Sequence, residues 1–284
     1  MLNILVTGAN GQVGSELKAI SKTYPYNFYF TDKANFDISD EITIKKYLET
    51  YCIDVIINCA AYTAVDKAET DIANADKINH YAVHLLASCA KEKMIKLIHL
   101  STDYVFDGKS YLPYTETDNV SPQSVYGSTK LAGEKALQKL NVPNSIIIRT
   151  SWVYSSYGNN FVKTMLRLGK EKKSLGVIYD QVGSPTYAHD LAETILEIVP
   201  QINTNETAVF HYSNEGVCSW YDFAKEIMSI MNLECKINPI ETFQYPTPAK
   251  RPHYSLLNKS KIKNNFNIEI PFWKDSLAQC LRKL

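Results

Sequence analysis

Short apolar runs alternate with longer stretches of helical periodicity along the first half of the chain. The runs Asn3–Thr7, Asn27–Thr31, Val55–Asn58, Lys96–Ser101 and Ser145–Arg149 are nearly continuous in apolar residues. Such runs predict strands buried on both faces, as in a parallel sheet covered by helices. Between them, Val13–Tyr24, Ile42–Tyr51, Ala73–Glu92 and Ser124–Leu140 carry apolar residues at helical spacing. Right-handed crossovers then give a doubly wound, Rossmann-like α/β sheet, with its ligand at the carboxyl ends of the strands. The second half is less regular. Helices are predicted over Asn160–Lys172, His189–Val199, Trp220–Met231 and Lys274–Leu284, with strands near Leu175–Tyr179 and Ala208–Ser213 and a proline-rich loop over Gln244–Tyr254. The expected division is a dinucleotide-binding domain over 1–160 and a smaller α/β substrate-binding subdomain over 161–284. The segment 187–215 is expected to rejoin the first domain, because its strand fits the main sheet.

Composition narrows the function class. Hydrophobic residues make up 45% of 284 residues, ample for one large core and a smaller one. Thirty basic residues balance thirty acidic ones, with no basic cluster, which argues against nucleic acid as a partner. No apolar run approaches the roughly 18 residues of a membrane span. The N-terminal segment lacks the basic start and cleavage site of a secretory signal. The six cysteines form no C-x-x-C pair, and a cytoplasmic location is expected.

Gly8, Gly11 and Gly14 follow the first strand and open the first helix. In that context Gly8 allows a tight turn, Gly11 lets the backbone approach a pyrophosphate, and Gly14 lets helix and strand pack closely. The helix start offers free N–H groups to the phosphates. Asp32 ends the second strand, where an acidic side chain accepts the adenosine ribose hydroxyls. Its charge disfavours a 2′-phosphate, whereas the adjacent Lys33 can offset it, so both NADH and NADPH stay open.

Tyr126 and Lys130 form Y-x-x-x-K and share a helix face. An ammonium beside a phenol stabilises phenolate, bringing the pair toward general acid–base work near neutrality. Ser101, Thr102 and Asp103 end the fourth strand. Neighbouring strand residues face opposite ways, so one of the two hydroxyls reaches the substrate, and spacing does not say which. His80 and His84 lie four apart on a helix, short of the three or four ligands a zinc site needs, and no metal ligands are assigned. Trp220, Tyr221 and Phe223 read as core-packing residues.

Several longer segments resemble the dTDP-4-dehydrorhamnose reductase family of extended short-chain reductases. They include Ala60–Glu69, Ser101–Gly108, Tyr126–Glu134, Arg149–Tyr154, Gly158–Phe161, Asp180–Thr186 and Arg251-Pro252, nearly end to end. The resemblance implies reduction of a C4 keto group on a dTDP-linked 6-deoxysugar, in dTDP-rhamnose synthesis for cell-surface polysaccharide, with NADPH or NADH. It implies that Thr102 is the hydroxyl beside Tyr126, and that Thr102, Asp103 and Trp152 contact the sugar. It further implies that Gly11, Gln12, Val13, Asp32, Asp37, Ile38, Ala61, Tyr62 and Thr63 line the dinucleotide with Tyr126 and Lys130. Arg251 is a candidate for the nucleotide diphosphate and equally for a surface ion pair. Members of the family bind Mg2+ through glutamates and dimerise around it. Glu16 fits one such position, whereas His189 stands where a second acidic ligand is expected, which argues against that bridge. A monomer or a homodimer is the expected assembly. A related nucleotide-sugar 4-ketoreductase, or a non-catalytic regulatory subunit of the same fold, are the alternatives.

Overall fold

A computed structural model describes residues 1–284. Six strands form one parallel sheet: β1 (Asn3–Thr7), β2 (Asn27–Phe30), β3 (Val55–Asn58), β4 (Lys96–Thr102), β5 (Ser145–Thr150) and β6 (Ala208–His211), in the order β6-β5-β4-β3-β1-β2. Alternate residues of each strand enter two separate cores. Ile4 and Val6, Val55 and Ile57, Ile98, Ile146 and Ile148, and Phe210 pack on one face. Leu5, Ile56, Leu97, Ile147 and Val209 pack on the other. This double burial is why the strands read as continuous apolar runs. Helices α1 (Gln12–Ile20) and Ala188–Ile198 cover the first face. Helices Glu41–Thr50 and Ala82–Glu92, with the long helix Val125–Leu140, cover the second. We call Val125–Leu140 the catalytic-side helix. Strand order reverses between β1 and β3, and this switch point is where a doubly wound sheet opens a ligand crevice.

The late strand Ala208–His211 pairs parallel with β5, so the chain returns to the sheet after leaving it. A separate core forms from Tyr154, Val162, Met165, Phe223, Ile227, Trp273 and Leu277 among others, and includes a two-stranded parallel ribbon, Ser174–Ile178 with Lys236–Ile240. No helix is long and apolar enough to cross a membrane. All six cysteines are free thiols.

Four elements differ from the periodicity. The first helix ends at Ile20 and continues only as a 3-10 turn, Ser21–Thr23. The single helix expected over Ala73–Glu92 is broken by a π turn at Lys77–Tyr81. The extra residue turns Asn79 inward, where it is fully buried and tied to backbone outside the helix. The strand Lys236–Ile240 and the helix Ser260–Phe266 gave no periodic signal, being short and carrying Pro, Asn or Lys at most positions.

Candidate active site

A cavity of about 1200 Å3 opens beyond the carboxyl ends of the central strands, and it has room for a dinucleotide together with a second ligand. Every residue singled out for cofactor, catalysis or sugar lines it, except Arg251.

The floor at one end is the turn from β1 into α1. Gly8 is left-handed, with φ +66°, and a Cβ there would sit 2.7 Å from Ala60 Cα. A Cβ on Gly14 would lie 2.5 Å from the Gly8 carbonyl oxygen, so the helix can approach the strand only without one. Gly11 stands at the N-cap and supplies no side chain, leaving the first-turn N–H groups of α1 to an outside acceptor. This cradle fits a pyrophosphate. Asp32 Oδ1 accepts from the Ala34 amide at 2.9 Å, and Oδ2 accepts from the Asn10 side chain, which fixes the carboxylate at the rim. Lys33 and Lys77 line the same cavity. Asp37 accepts from the Ser39 amide and hydroxyl, which hold its carboxyl below the ordinary range. The wall Ala61–Thr63 is positioned by Asn79, whose side chain accepts from the Tyr62 amide at 2.8 Å and donates to its carbonyl at 3.1 Å. Asn79 also donates to Thr129, coupling this wall to the catalytic-side helix.

That helix begins at Val125, capped by Ser124 accepting from the Gly127 amide. Tyr126 therefore lies in the first turn, where the positive helix end favours developing negative charge. Gly127 is required for close approach, since a Cβ would lie 2.3 Å from the Tyr104 carbonyl oxygen. Tyr104 stacks edge-on against Tyr126, with centroids 5.4 Å apart. Burial pushes the Tyr126 phenol up to about 12, a hydrogen bond with Thr102 pulls the other way, and the Asp103 charge adds to the rise. This corrects the expectation of a phenol acidified by its neighbour. The Lys130 Nζ is engaged elsewhere, donating to the Leu100 carbonyl at 2.6 Å and lying 3.3 Å from His99 Nε2. Burial pushes Lys130 itself down to about 8. The resting phenol is thus a protonated donor.

The strand end resolves the two hydroxyls. Ser101 donates to the Glu134 carboxylate, which forms a buried pair with Arg149 at 2.7 Å. Thr102 lies on the opposite side and bonds Asp103 at 3.0 Å. Asp103 is buried, its Oδ2 has no partner, and burial pushes its carboxyl up to about 7.

Trp152 adopts a left-handed backbone, φ +49°, and its ring stacks on Trp220 at 3.6 Å and 12°. Trp220, read from sequence as a core residue, thus backs a cavity wall. Gly183 admits the Trp152 ring, since a Cβ there would lie 3.1 Å from it. Arg251 does not reach the cavity. Its guanidinium is bidentate to Asp66, at 3.0 and 2.7 Å, and lines a small separate recess. The ion-pair alternative for Arg251 therefore describes this structure, because Asp66 offers the nearer carboxylate. Glu16 is buried, with one oxygen accepting from Ser155 at 2.6 Å and the other 3.3 Å from His189 Nδ1. Both carboxylate oxygens are taken, and His189 fills the place of an acidic ligand, so this set does not fit a divalent cation.

Asn58, Asn79 and His99 were missed in the sequence. For Asn58 and His99 the only signal was a polar residue at the end or middle of an otherwise apolar strand run, and Asn79, in the π turn, left none.

Comparison with known proteins agrees along the whole chain. Residues 2–284 match the model of the family described as RmlD substrate binding domain. A dTDP-4-dehydrorhamnose reductase of Aggregatibacter actinomycetemcomitans is 41% identical, covering 98% of this chain and 97% of its own. The crystal structure of a dTDP-4-dehydrorhamnose reductase from Clostridium acetobutylicum superposes with a TM-score of 0.94 at 41% identity, covering 99% of each chain. That of the Bacillus anthracis enzyme in complex with NADP gives 0.94 at 37% identity, covering 100% of each. The chain belongs to the dTDP-4-dehydrorhamnose reductase family.

Proposed function

We propose that this protein reduces the C4 keto group of dTDP-4-dehydro-L-rhamnose to give dTDP-L-rhamnose, as a cytoplasmic enzyme supplying cell-surface polysaccharide. The observation that carries the reading is the convergence of Thr102, Tyr126 and Lys130 on the cavity entered by the glycine turn. NADPH or NADH, when bound, supplies the hydride. The Bacillus anthracis relative bound to NADP, together with Lys33 and Lys77 on the cavity wall, supports NADPH. Gly8, Gly11 and Gly14 hold the pyrophosphate, and Asp32 faces the adenosine ribose.

Tyr126 donates its proton to the oxygen forming at C4, and Thr102 holds that oxygen by a second hydrogen bond. Lys130 bonds the nicotinamide ribose, and the positive end of the catalytic-side helix favours the phenolate left behind. Asp103, on the cavity lining beside Thr102, contacts the sugar. Trp152 packs on the apolar face of the deoxysugar. Residues 1–160 with 187–215 hold the cofactor, and the remainder of 161–284 presents the sugar nucleotide. The Glu16–His189 pair supports a monomer, or a homodimer held without a metal bridge.

The test follows cofactor oxidation spectrophotometrically with the dTDP-4-keto sugar, with NADPH and NADH in parallel and with product analysis. Oxidation yielding dTDP-L-rhamnose is expected. A different deoxysugar product would move the assignment to another 4-ketoreductase, and no oxidation would overturn it.

A further inference from the structure

Four polar side chains form a continuous row beneath the cavity, inside the otherwise apolar layer under the catalytic-side helix. Thr7, Asn58 and His99 occupy matched register positions on adjacent strands β1, β3 and β4. Lys130 closes the row from the helix. Thr7 Oγ1 donates to Asn58 Oδ1 at 2.7 Å, Asn58 Nδ2 lies 3.0 Å from His99 Nδ1, and His99 Nε2 lies 3.3 Å from Lys130 Nζ. All four are buried. A buried polar row destabilises the fold unless each member is bonded, so its place in an apolar layer calls for a role.

The protons in the row can be counted. With Asn58 Nδ2 donating to Nδ1, the single proton of the neutral imidazole sits on Nε2 and points at Nζ. That bond needs a lone pair on Nζ, which only the neutral amine has. When Lys130 is an ammonium, Nε2 must accept and the ring proton moves to Nδ1. The Asn58 amide then turns over, its oxygen accepting from Nδ1 and its nitrogen donating to Thr7 Oγ1. Thr7 serves in either arrangement, because its hydroxyl both donates and accepts. Each charge state of Lys130 thus has one arrangement in which the bonds along the row from Thr7 to Lys130 are all made, and they interconvert by a tautomer change and an amide flip.

We propose that His99, backed by Asn58 and Thr7, is a positioning residue for Lys130. It keeps the buried amine hydrogen-bonded in both charge states and so sets the pH at which Lys130 changes state. Lys130 changes state near neutrality, and so does Asp103 in the same cavity, pushed up to about 7, but Asp103 acts on Tyr126 and not on Lys130. Burial pushes the Cys59 thiol up to about 12, Glu134 is locked to Arg149, and Tyr126 stays protonated. Burial, then the Lys130 charge, keeps His99 neutral. The kinetic consequence rests on the reductase reading, whereas the titration of Lys130 belongs to the fold.

The test is a 13C NMR titration of the Lys130 Cε in protein carrying labelled lysine, assigned by the signal missing in Lys130→Met. His99→Leu deprives the ammonium of a charge-assisted acceptor, so its midpoint is expected to fall by roughly one pH unit, a tenfold change in the equilibrium. His99→Gln, whose amide can both accept and donate, is expected to restore it. His99→Asn is polar but too short to reach Nζ, so it should behave like the leucine variant and replaces it if that variant does not fold. In the reductase assay, the alkaline fall in kcat is expected to move with the NMR midpoint. An unchanged Lys130 midpoint in both His99→Leu and His99→Asn overturns the proposal. A midpoint that moves while the kcat profile stays fixed supports His99 as Lys130's partner and overturns instead the catalytic role given to Lys130.

Discussion

The stacking of Trp220 on Trp152 gives a prediction that separates sugar binding from chemistry. Trp152 holds a left-handed backbone, which costs a non-glycine residue about 1 kcal/mol or more unless its surroundings hold it. The main restraint visible on its ring is the near-parallel contact with Trp220 at 3.6 Å. Trp220→Leu keeps an apolar filler but removes the stacked face. An aromatic pair contributes about 0.5–1.5 kcal/mol beyond its buried area. If that restraint holds the sugar-facing pose, KM for the nucleotide sugar should rise about 2- to 12-fold. The hydride and proton donors are untouched, so kcat should stay within about threefold and KM for the cofactor should not move. The assay is steady-state reduction with the nucleotide sugar varied at saturating cofactor. An unchanged sugar KM, or a rise confined to the cofactor KM, would refute the view of Trp220 as the support of the sugar wall.

Other consequences concern stability. Glu134→Leu leaves the buried Arg149 guanidinium uncompensated and strips Ser101 of its acceptor, so about 3–5 kcal/mol should be lost in chemical denaturation. The double variant Glu134→Leu/Arg149→Met should recover most of it, and equal losses in both would contradict the pairing. The Glu16–His189 pair predicts a pH window. Bonding to Glu16 raises His189, so its contribution is full below the ordinary histidine value of 6.5 and fades as pH climbs through the raised folded value. Burial pushes Glu16 up, but bonds from His189 and Ser155 outweigh it and hold the carboxyl low, so its contribution is full above 4.5 and fades as pH falls through the folded value. His189→Leu should therefore lower Tm most between pH 4.5 and 6.5, with the gap narrowing at alkaline pH. A gap independent of pH would argue against an ionic pair.

The sequence was most informative where chemistry is local. The glycine turn is legible because Gly8 and Gly14 answer to backbone contacts a few residues away. Tyr126 and Lys130 are legible because a helix puts i and i+4 on one face. Strands β1 and β3 to β5 are legible because burial on both faces leaves little room for polar residues. Contacts formed across the fold were not legible. Ser101 and Thr102 could not be told apart until Glu134, 33 residues on, claimed the serine. Arg251 found Asp66 at a separation of 185 residues, which no local pattern encodes. The row from Thr7 to Lys130 exists only once three strands align in register. The π turn that buries Asn79 leaves the helical periodicity on either side intact, which hides it.

The central claim is that Tyr126 hands its proton to the oxygen formed at the reduced carbon. The direct measurement compares Tyr126→Phe with the unaltered protein, taking kcat with the dTDP-4-keto sugar alongside NADPH affinity from fluorescence titration. The variant lacks only the phenolic hydroxyl, so kcat should fall by about 10²- to 10⁴-fold while cofactor affinity stays within a few-fold. Turnover within a factor of about three of the unaltered protein, with cofactor bound normally, would contradict the account.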